Sequence, residues 1–324
     1  MQVFYIILPQ INKYQLSNKK VLLTIKTQTS KNKTIMSVKL SPIIAGTMNW
    51  GEWQAKFGPV QMAAIINDCI SYGITTFDHA DIYGGYTTEA DFGKGFAQSG
   101  VNREHIQLIS KCGIQHTLGN RENKVKHYDY SKEYIIWSAE NSLKFLQTDY
   151  LDVLLLHRPS PLMQPDEIAE AIEKLKGEGK IKAFGVSNFT NTQTDLIRSR
   201  TEVFCNQVAF SATHIDPMLD GSFDYMQIHS IKPLAWSPTG SVFKENNEQT
   251  VRLRKLLVEF EEKYNTTADV ILFAWILQHP AGIVPVSGSC STERLKNQAK
   301  ATEIKLELMD WFAIWTESMG HKVP

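Results

Sequence analysis

The chain has 324 residues, of which 43% are hydrophobic, with 34 basic and 34 acidic residues in balance. That neutrality removes the electrostatic case for nucleic acid as a partner, and no apolar run is long enough to cross a bilayer. Length alone suggests two domains, although α/β barrels of more than about 250 residues fold as one unit. The charge is unevenly spread. Residues 1–36 hold six lysines and no acidic residue, and the first acid of the chain is Glu52. This segment is expected to be a disordered or mis-assigned basic leader, with Met36 opening the folded part; a transit peptide would favour arginine, and it has none. Cys69, Cys112, Cys205 and Cys290 show neither close pairing nor metal-type spacing. They read as free thiols in the reducing cytoplasm, where the protein is expected.

Beyond the leader, short apolar runs alternate with longer amphipathic ones. Residues 43–45 read as a first strand, with Gly46-Thr47-Met48 at its exit. A helix over 60–72, opened by Pro59 and closed by Gly73, leads to a strand over 73–78 ending on Asp78. A helix over 88–98 and a strand over 105–111, ending on Lys111, come next. Residues 112–130 have no periodicity, and a loop of that length is usually functional. Ser131 is a good N-cap for a helix over 131–146, and the strand over 150–157 ends on His157. A helix over 165–176, a strand over 181–188, a helix over 192–199 and a strand over 203–207 continue the alternation. A helix over 218–229, a strand over 231–236 and helices over 248–264 and 268–279 follow. The strand over 282–287 and helices over 292–302 and 308–319 complete the chain. The strand runs are rich in Ile, Val, Leu and Phe without polar alternation, which marks strands buried on both faces. The fold expected is α/β, a (β/α)8 TIM barrel forming a single domain over 37–324. If the strands are parallel, their terminal residues share one rim, where barrel active sites are built.

Asp78, Lys111 and His157 would then meet, joined by Tyr83 from the loop beyond Asp78. Taken singly, these residues have ordinary readings: a helix cap, a solvated strand end, a satisfied buried histidine. Together on one rim they make a proton-handling site. Reducing a carbonyl needs hydride at carbon and a proton at oxygen. A tyrosine with its pKa near 10 is a poor acid unless a cation stabilises its phenolate. Lys111 supplies that cation, Asp78 holds Lys111, and His157 can hydrogen-bond the carbonyl oxygen beside Tyr83.

The run Phe77-Asp78-His79-Ala80-Asp81-Ile82-Tyr83-Gly84 continues through Gly85-Tyr86-Thr87-Thr88-Glu89. With Ser110-Lys111, Leu155-Leu156-His157-Arg158-Pro159 and Gly185-Val186-Ser187-Asn188-Phe189, it resembles the aldo-keto reductase family. Ala235-Trp236-Ser237-Pro238 and Trp311-Phe312-Ala313-Ile314-Trp315 resemble its bacterial oxidoreductase branch. The resemblance is collinear over residues 38–324. It implies NADP(H) as cofactor and a small-molecule carbonyl as substrate. By the same resemblance, Ser187, Asn188 and Gln207 match positions that hydrogen-bond the nicotinamide carboxamide, and Trp236 takes the place of the aromatic under the nicotinamide ring. Ser237, Pro238, Thr239 and Gly240 would lay backbone amides against the pyrophosphate. Gly288, Ser289, Arg294 and Gln298 match the 2′-phosphate and adenine positions. Gly288 stands where many members carry lysine, so a modest preference for NADPH over NADH is expected. Gly46, Thr47, Met48 and Asp78 complete the expected cofactor set.

No metal or flavin motif appears, and no Gly-x-Gly-x-x-Gly follows a strand, which argues against a dinucleotide-binding domain of the Rossmann type. Trp50 and Trp53, with Met48, are expected to wall an apolar substrate pocket, kept open and shallow by short segments after His157 and Trp236. The expected activity is NADP(H)-dependent reduction of aldehydes or ketones to alcohols, with Tyr83 as general acid. The alternative is a nicotinamide-nucleotide-binding redox-sensing or regulatory subunit with slow catalysis. The intact tetrad favours the enzyme, since a sensor needs no acid.

Overall fold

The computed structural model describes residues 38–118 and 121–324, so the leader expected over residues 1–36 lies outside it. In chain order the elements are β1 (Ile44–Gly46), α1 (Pro59–Ser71), β2 (Thr76–Asp78), α2 (Thr88–Ser99) and β3 (Gln107–Cys112). Then come β4 (Ile114–Gln115), β5 (His127–Tyr128), α3 (Lys132–Leu146), β6 (Leu151–Leu156) and α4 (Pro165–Gly177). They are followed by β7 (Ile181–Ser187), α5 (Asn191–Arg198), β8 (Cys205–Ala209), α6 (Asp216–Leu219) and α7 (Ser222–Ile228). The last are β9 (Lys232–Trp236), α8 (Glu248–Tyr264), α9 (Ala268–Leu277), β10 (Val284–Ser287), α10 (Thr292–Ala299) and α11 (Leu308–Met319). Strands β1, β2, β3, β6, β7, β8, β9 and β10 pair in parallel in that order, and β10 closes back onto β1. This is the expected (β/α)8 TIM barrel.

Alternation along the strands sorts their side chains into two cores. Ile44, Ile109, Val153, Leu155, Cys205, Leu234 and Val286 pack together inside the barrel. A much larger cluster, including Phe77, Leu108, Leu154, Phe184 and Ala235, fills the layer between strands and helices. The residues two positions further along the inward faces form the next layer up: Asp78, Lys111, His157, Ser187, Gln207 and Trp236. A period of two therefore converts an apolar plug into a polar floor without any change of backbone.

Three expectations needed correction. The helix expected over 218–229 is two helices, because Gly221 turns the chain at φ 81° between α6 and α7. The helix expected over 292–302 ends at Ala299 and continues as a 3-10 turn over Lys300–Glu303. The stretch from 112 to 130 is not structureless: β4 and β5 pair antiparallel, Ile114 against Tyr128 and Gln115 against His127. Two-residue strands are too short for periodicity to register. The hairpin leaves β3 at Gly113, where φ is 108° and a Cβ would lie 1.9 Å from the Tyr130 ring. Glycine there lets the ring pack directly on the backbone at the base of the hairpin.

Candidate active site

Asp78 ends β2, Lys111 is the penultimate residue of β3, and His157 follows β6 directly. Tyr83 sits one turn beyond β2, its amide bonded to the Ala80 carbonyl. Lys111 Nζ donates to Asp78 Oδ2 at 2.8 Å, to the His79 carbonyl at 2.8 Å and lies 3.1 Å from the Tyr83 hydroxyl. Gln207 Nε2 donates to the other Asp78 oxygen at 3.1 Å. The Tyr83 and His157 rings meet edge to face with centroids 6.0 Å apart. Asp78, Lys111, Tyr83 and His157 are all buried, Lys111 with only 1% of its surface exposed. Burial pushes the Lys111 pKa down, but the charge of Asp78, the Tyr83 hydroxyl and their hydrogen bonds outweigh it, so the ammonium is held above its ordinary value. Burial pushes the Tyr83 hydroxyl up, and Lys111 opposes that rise. Burial, then the charges of Lys111, Arg158 and Lys126, push His157 well down, leaving a neutral imidazole at neutral pH. Its Nδ1 is buried without a hydrogen-bond partner among the described residues.

Two more acids lie in the same loop and helix. Glu89 Oε1 accepts from Ser110 Oγ at 2.5 Å, and Asp81 Oδ2 accepts from Ser138 Oγ at 3.1 Å. Burial raises Asp81 to about 8 and Glu89 to about 7, so both resist ionisation. His79 is driven the other way, down to about 3 by burial and then by Lys111.

A cavity of about 730 Å³ opens above this floor. Gly46, Met48, Trp53, Asp78, Tyr83, His157, Ser187, Asn188, Gln207 and Trp236 line its inner part. Ser237, Pro238, Thr239, Gly240, Gly288, Ser289, Arg294 and Gln298 carry it outward over β9 and β10. Within that lining, Trp236 Nε1 donates to Asn188 Oδ1 at 2.9 Å, and Asn188 Nδ2 donates to Ser187 Oγ at 2.8 Å. The three residues thus form one hydrogen-bonded run. Ser287 Oγ donates to Gln298 Oε1 at 2.6 Å, and Gln298 Nε2 donates to Asp269 Oδ2 at 3.0 Å. Gly240 has φ 54°, and a Cβ there would come within 2.0 Å of Thr213 Oγ1. The loop it belongs to is therefore pressed against the barrel as bare backbone.

Two residues expected at the site are elsewhere. Trp50 is fully buried among Phe57, Phe77 and Phe92, with Nε1 donating to the Ser289 carbonyl at 3.0 Å. It is a core residue beneath the cavity, because the loop after β1 folds back with the Trp50 amide bonded to the Thr47 carbonyl. Thr47 is also fully buried, and its hydroxyl bonds the Asp78 carbonyl and His79 Nδ1, so it braces the floor without facing the cavity. Trp53, 43% exposed, does reach the cavity, with its ring 6.0 Å from that of Tyr83. The segment after Trp236 is not short: residues 237–247 contribute Phe243 and Lys244 to the wall. Sequence reasoning also missed Lys126, Arg158, Asp269 and Ser287. Ser287 had a usable signal as the last residue of an apolar run, and Arg158 adjoins His157. Lys126 had none, because it lies in the stretch without periodicity.

A closed parallel barrel with Asp, Tyr, Lys and His gathered on its carboxyl-end rim under an elongated cavity defines an oxidoreductase of the TIM-barrel class. The aldo/keto reductase family model matches residues 42–316. The chain is 41% identical over 293 residues to the uncharacterized oxidoreductase YcsN of Bacillus subtilis, covering 89% of this chain and 97% of that one. It is 36% identical over 291 residues to 6-dehydroglucose reductase of Agrobacterium fabrum, covering 88% and 97%. An aldo-keto reductase of Klebsiella pneumoniae solved with NADPH superposes with a TM-score of 0.70 at 26% identity, over 85% of this chain and 90% of that one. The chain belongs to the aldo/keto reductase family.

Proposed function

We propose that the protein reduces aldehydes or ketones to the corresponding alcohols with NADPH, Tyr83 giving the proton. The observation that carries this reading is a buried ammonium, Lys111, bonded at once to a carboxylate at 2.8 Å and to a tyrosine hydroxyl at 3.1 Å. The cavity suits an elongated nucleotide. Trp236 offers an indole beside Asn188, Gly240 leaves backbone uncovered, and Arg294 stands in the first turn of α10 near Ser289. In this reading Ser187, Asn188 and Gln207 would hold the carboxamide, and Arg294 with Ser289 the 2′-phosphate, as suits a helix start with a guanidinium beside it. When bound, NADPH supplies the hydride that the carbonyl carbon accepts.

The chain's own residues supply the rest. Tyr83, protonated at neutral pH, faces the cavity and passes its proton to the carbonyl oxygen as negative charge develops there. Lys111, kept charged by Asp78, favours the phenolate left behind. General acid catalysis of this kind contributes about 10²–10⁴-fold. Neutral His157 orients the carbonyl oxygen without competing as an acid. The raised pKa of Lys111 also counts against a Schiff-base reaction, which requires the free amine. A purely regulatory nucleotide-binding role leaves the buried acid without a task. The test is aldehyde-dependent oxidation of NADPH, run with NADH alongside and with Tyr83→Phe as control. Turnover in the wild type, preference for NADPH and loss in the variant are expected; a wild type that consumes no NADPH with any aldehyde or ketone overturns the proposal.

A further inference from the structure

The substrate end of the cavity carries more positive charge than the tetrad needs. Arg158 and Lys126 both line it, from the segments that follow the neighbouring strands β6 and β3: Arg158 next to His157 beyond β6, and Lys126 from the β4–β5 hairpin beyond β3. Both charges reach the reacting groups, since both depress His157 and Arg158 also acts on Tyr83. The Arg158 guanidinium stands 5.8 Å from the centre of the Trp236 ring. Among the described residues neither cation is paired with a carboxylate. The acids that line the cavity have other partners: Asp78 holds Lys111, Asp269 accepts from Gln298 and Thr267, and Glu261 accepts from the Ala268 amide.

The segments that carry the two cations are also held together. The Tyr130 hydroxyl donates to the Arg158 carbonyl and accepts from the Arg158 amide, and the Tyr130 ring packs on Gly113 at the base of the hairpin that carries Lys126. A pair of unpaired cations beside a proton donor, fixed through shared backbone contacts, is what a second anionic group on the substrate would need. An adventitious surface lysine would lack that bracing.

We infer that the protein's substrates are carbonyl compounds bearing an anionic oxygen group, a carboxylate or a phosphate, which Arg158 and Lys126 bind while the carbonyl meets Tyr83. This deepens the reductase reading and rests on it.

Matched pairs test it at saturating NADPH: succinic semialdehyde against its neutral amide, and glyceraldehyde 3-phosphate against glyceraldehyde. Each anionic member is compared with its neutral partner by kcat/KM. Charge-assisted contacts of this kind predict an advantage of about 10- to 100-fold in at least one pair, expressed mainly in KM. The advantage should shrink as ionic strength rises to about 0.5 M. The pair that shows it identifies the carboxylate or the phosphate as the preferred group. Arg158→Gln and Lys126→Gln should each reduce the anionic-to-neutral ratio about 5- to 30-fold; because the ratio is read, any loss common to both substrates cancels. Equal turnover of both members of both pairs overturns the inference while leaving the reductase reading intact, as does a ratio that neither variant changes. Failure to reduce any of the four compounds, together with a broad panel of neutral aldehydes, overturns both.

Discussion

The floor and the mouth of the cavity hold their charges in opposite ways. Lys111 is buried, triply hydrogen-bonded and neutralised by Asp78, near the end of a strand that is buried from Leu108 onward. Arg294 is exposed and stands in the first turn of a helix, and Lys126 is exposed on a hairpin. Charge at the buried end can tune a proton, because low dielectric makes each partner count. Charge at the mouth chiefly attracts and selects, since water screens it. The tuning of a proton thus falls to Asp78 and Lys111 at strand ends, and selectivity to the exposed segments between strands.

The sharpest way to break this division is to remove the proton. Tyr83→Phe is expected to lower kcat about 10²–10⁴-fold while the Kd for NADPH stays within a few-fold. Lys111→Met should cost as much, and the double variant little more, because residues acting as one unit are not additive. Near wild-type turnover by Tyr83→Phe, or fully additive losses, would dissolve the unit. The two tryptophans of the loop after β1 offer a second contrast. Trp50→Ala, which empties a fully buried site, should cost about 3–5 kcal/mol of stability, read as a fall in denaturant midpoint. Trp53→Ala should leave the midpoint nearly unchanged and shift the KM for the carbonyl substrate. If both destabilise alike, the boundary between core and cavity has been drawn wrongly.

At the rim, Arg294→Ala should weaken NADPH about 10- to 100-fold and leave NADH almost unchanged. Quenching of tryptophan fluorescence by each nucleotide measures this without turnover. Equal weakening of both would detach Arg294 from the 2′-phosphate. A further effect expected is thermal. Asp81 is held near 8 in the folded chain against an ordinary 3.8, so the folded state keeps a proton that the unfolded state releases between those values. The stability this contributes is present below about pH 4 and is lost as pH rises toward 8. Asp81→Asn mimics the protonated acid, so its Tm should exceed that of the wild type increasingly from pH 5 to pH 8, by about 2–4 °C per kcal/mol regained. Parallel pH profiles would show that Asp81 is ionised throughout.

What could be read from residues alone follows the same division. The barrel was legible because its strands are buried on both faces and therefore apolar without interruption, each ending where the chain meets water. Asp78, Lys111 and His157 announced themselves as polar residues closing apolar runs. The β4–β5 hairpin did not, since two paired residues per strand carry no period, and Lys126 was hidden with it. Trp50 was misread for a related reason: in a loop, neither hydropathy nor spacing separates a ring that folds under the barrel from one that faces the cavity. Thr47 failed likewise, its hydroxyl turned inward to the Asp78 carbonyl. The division of Gly221 between α6 and α7 is a single backbone angle that an amphipathic pattern does not register.

The apolar plug of Ile44, Ile109, Val153, Leu155, Cys205, Leu234 and Val286 has a consequence for traffic. It closes the shaft of the barrel directly beneath the polar floor, so the site has no doorway through the barrel itself. On the proposed reading, a proton given up by Tyr83 comes back by way of the mouth through which the alcohol departs, and the two journeys cannot be run from opposite ends of the barrel. Reprotonation of the enzyme is thereby tied to clearing of the entrance, and a bulky alcohol that lingers there delays both.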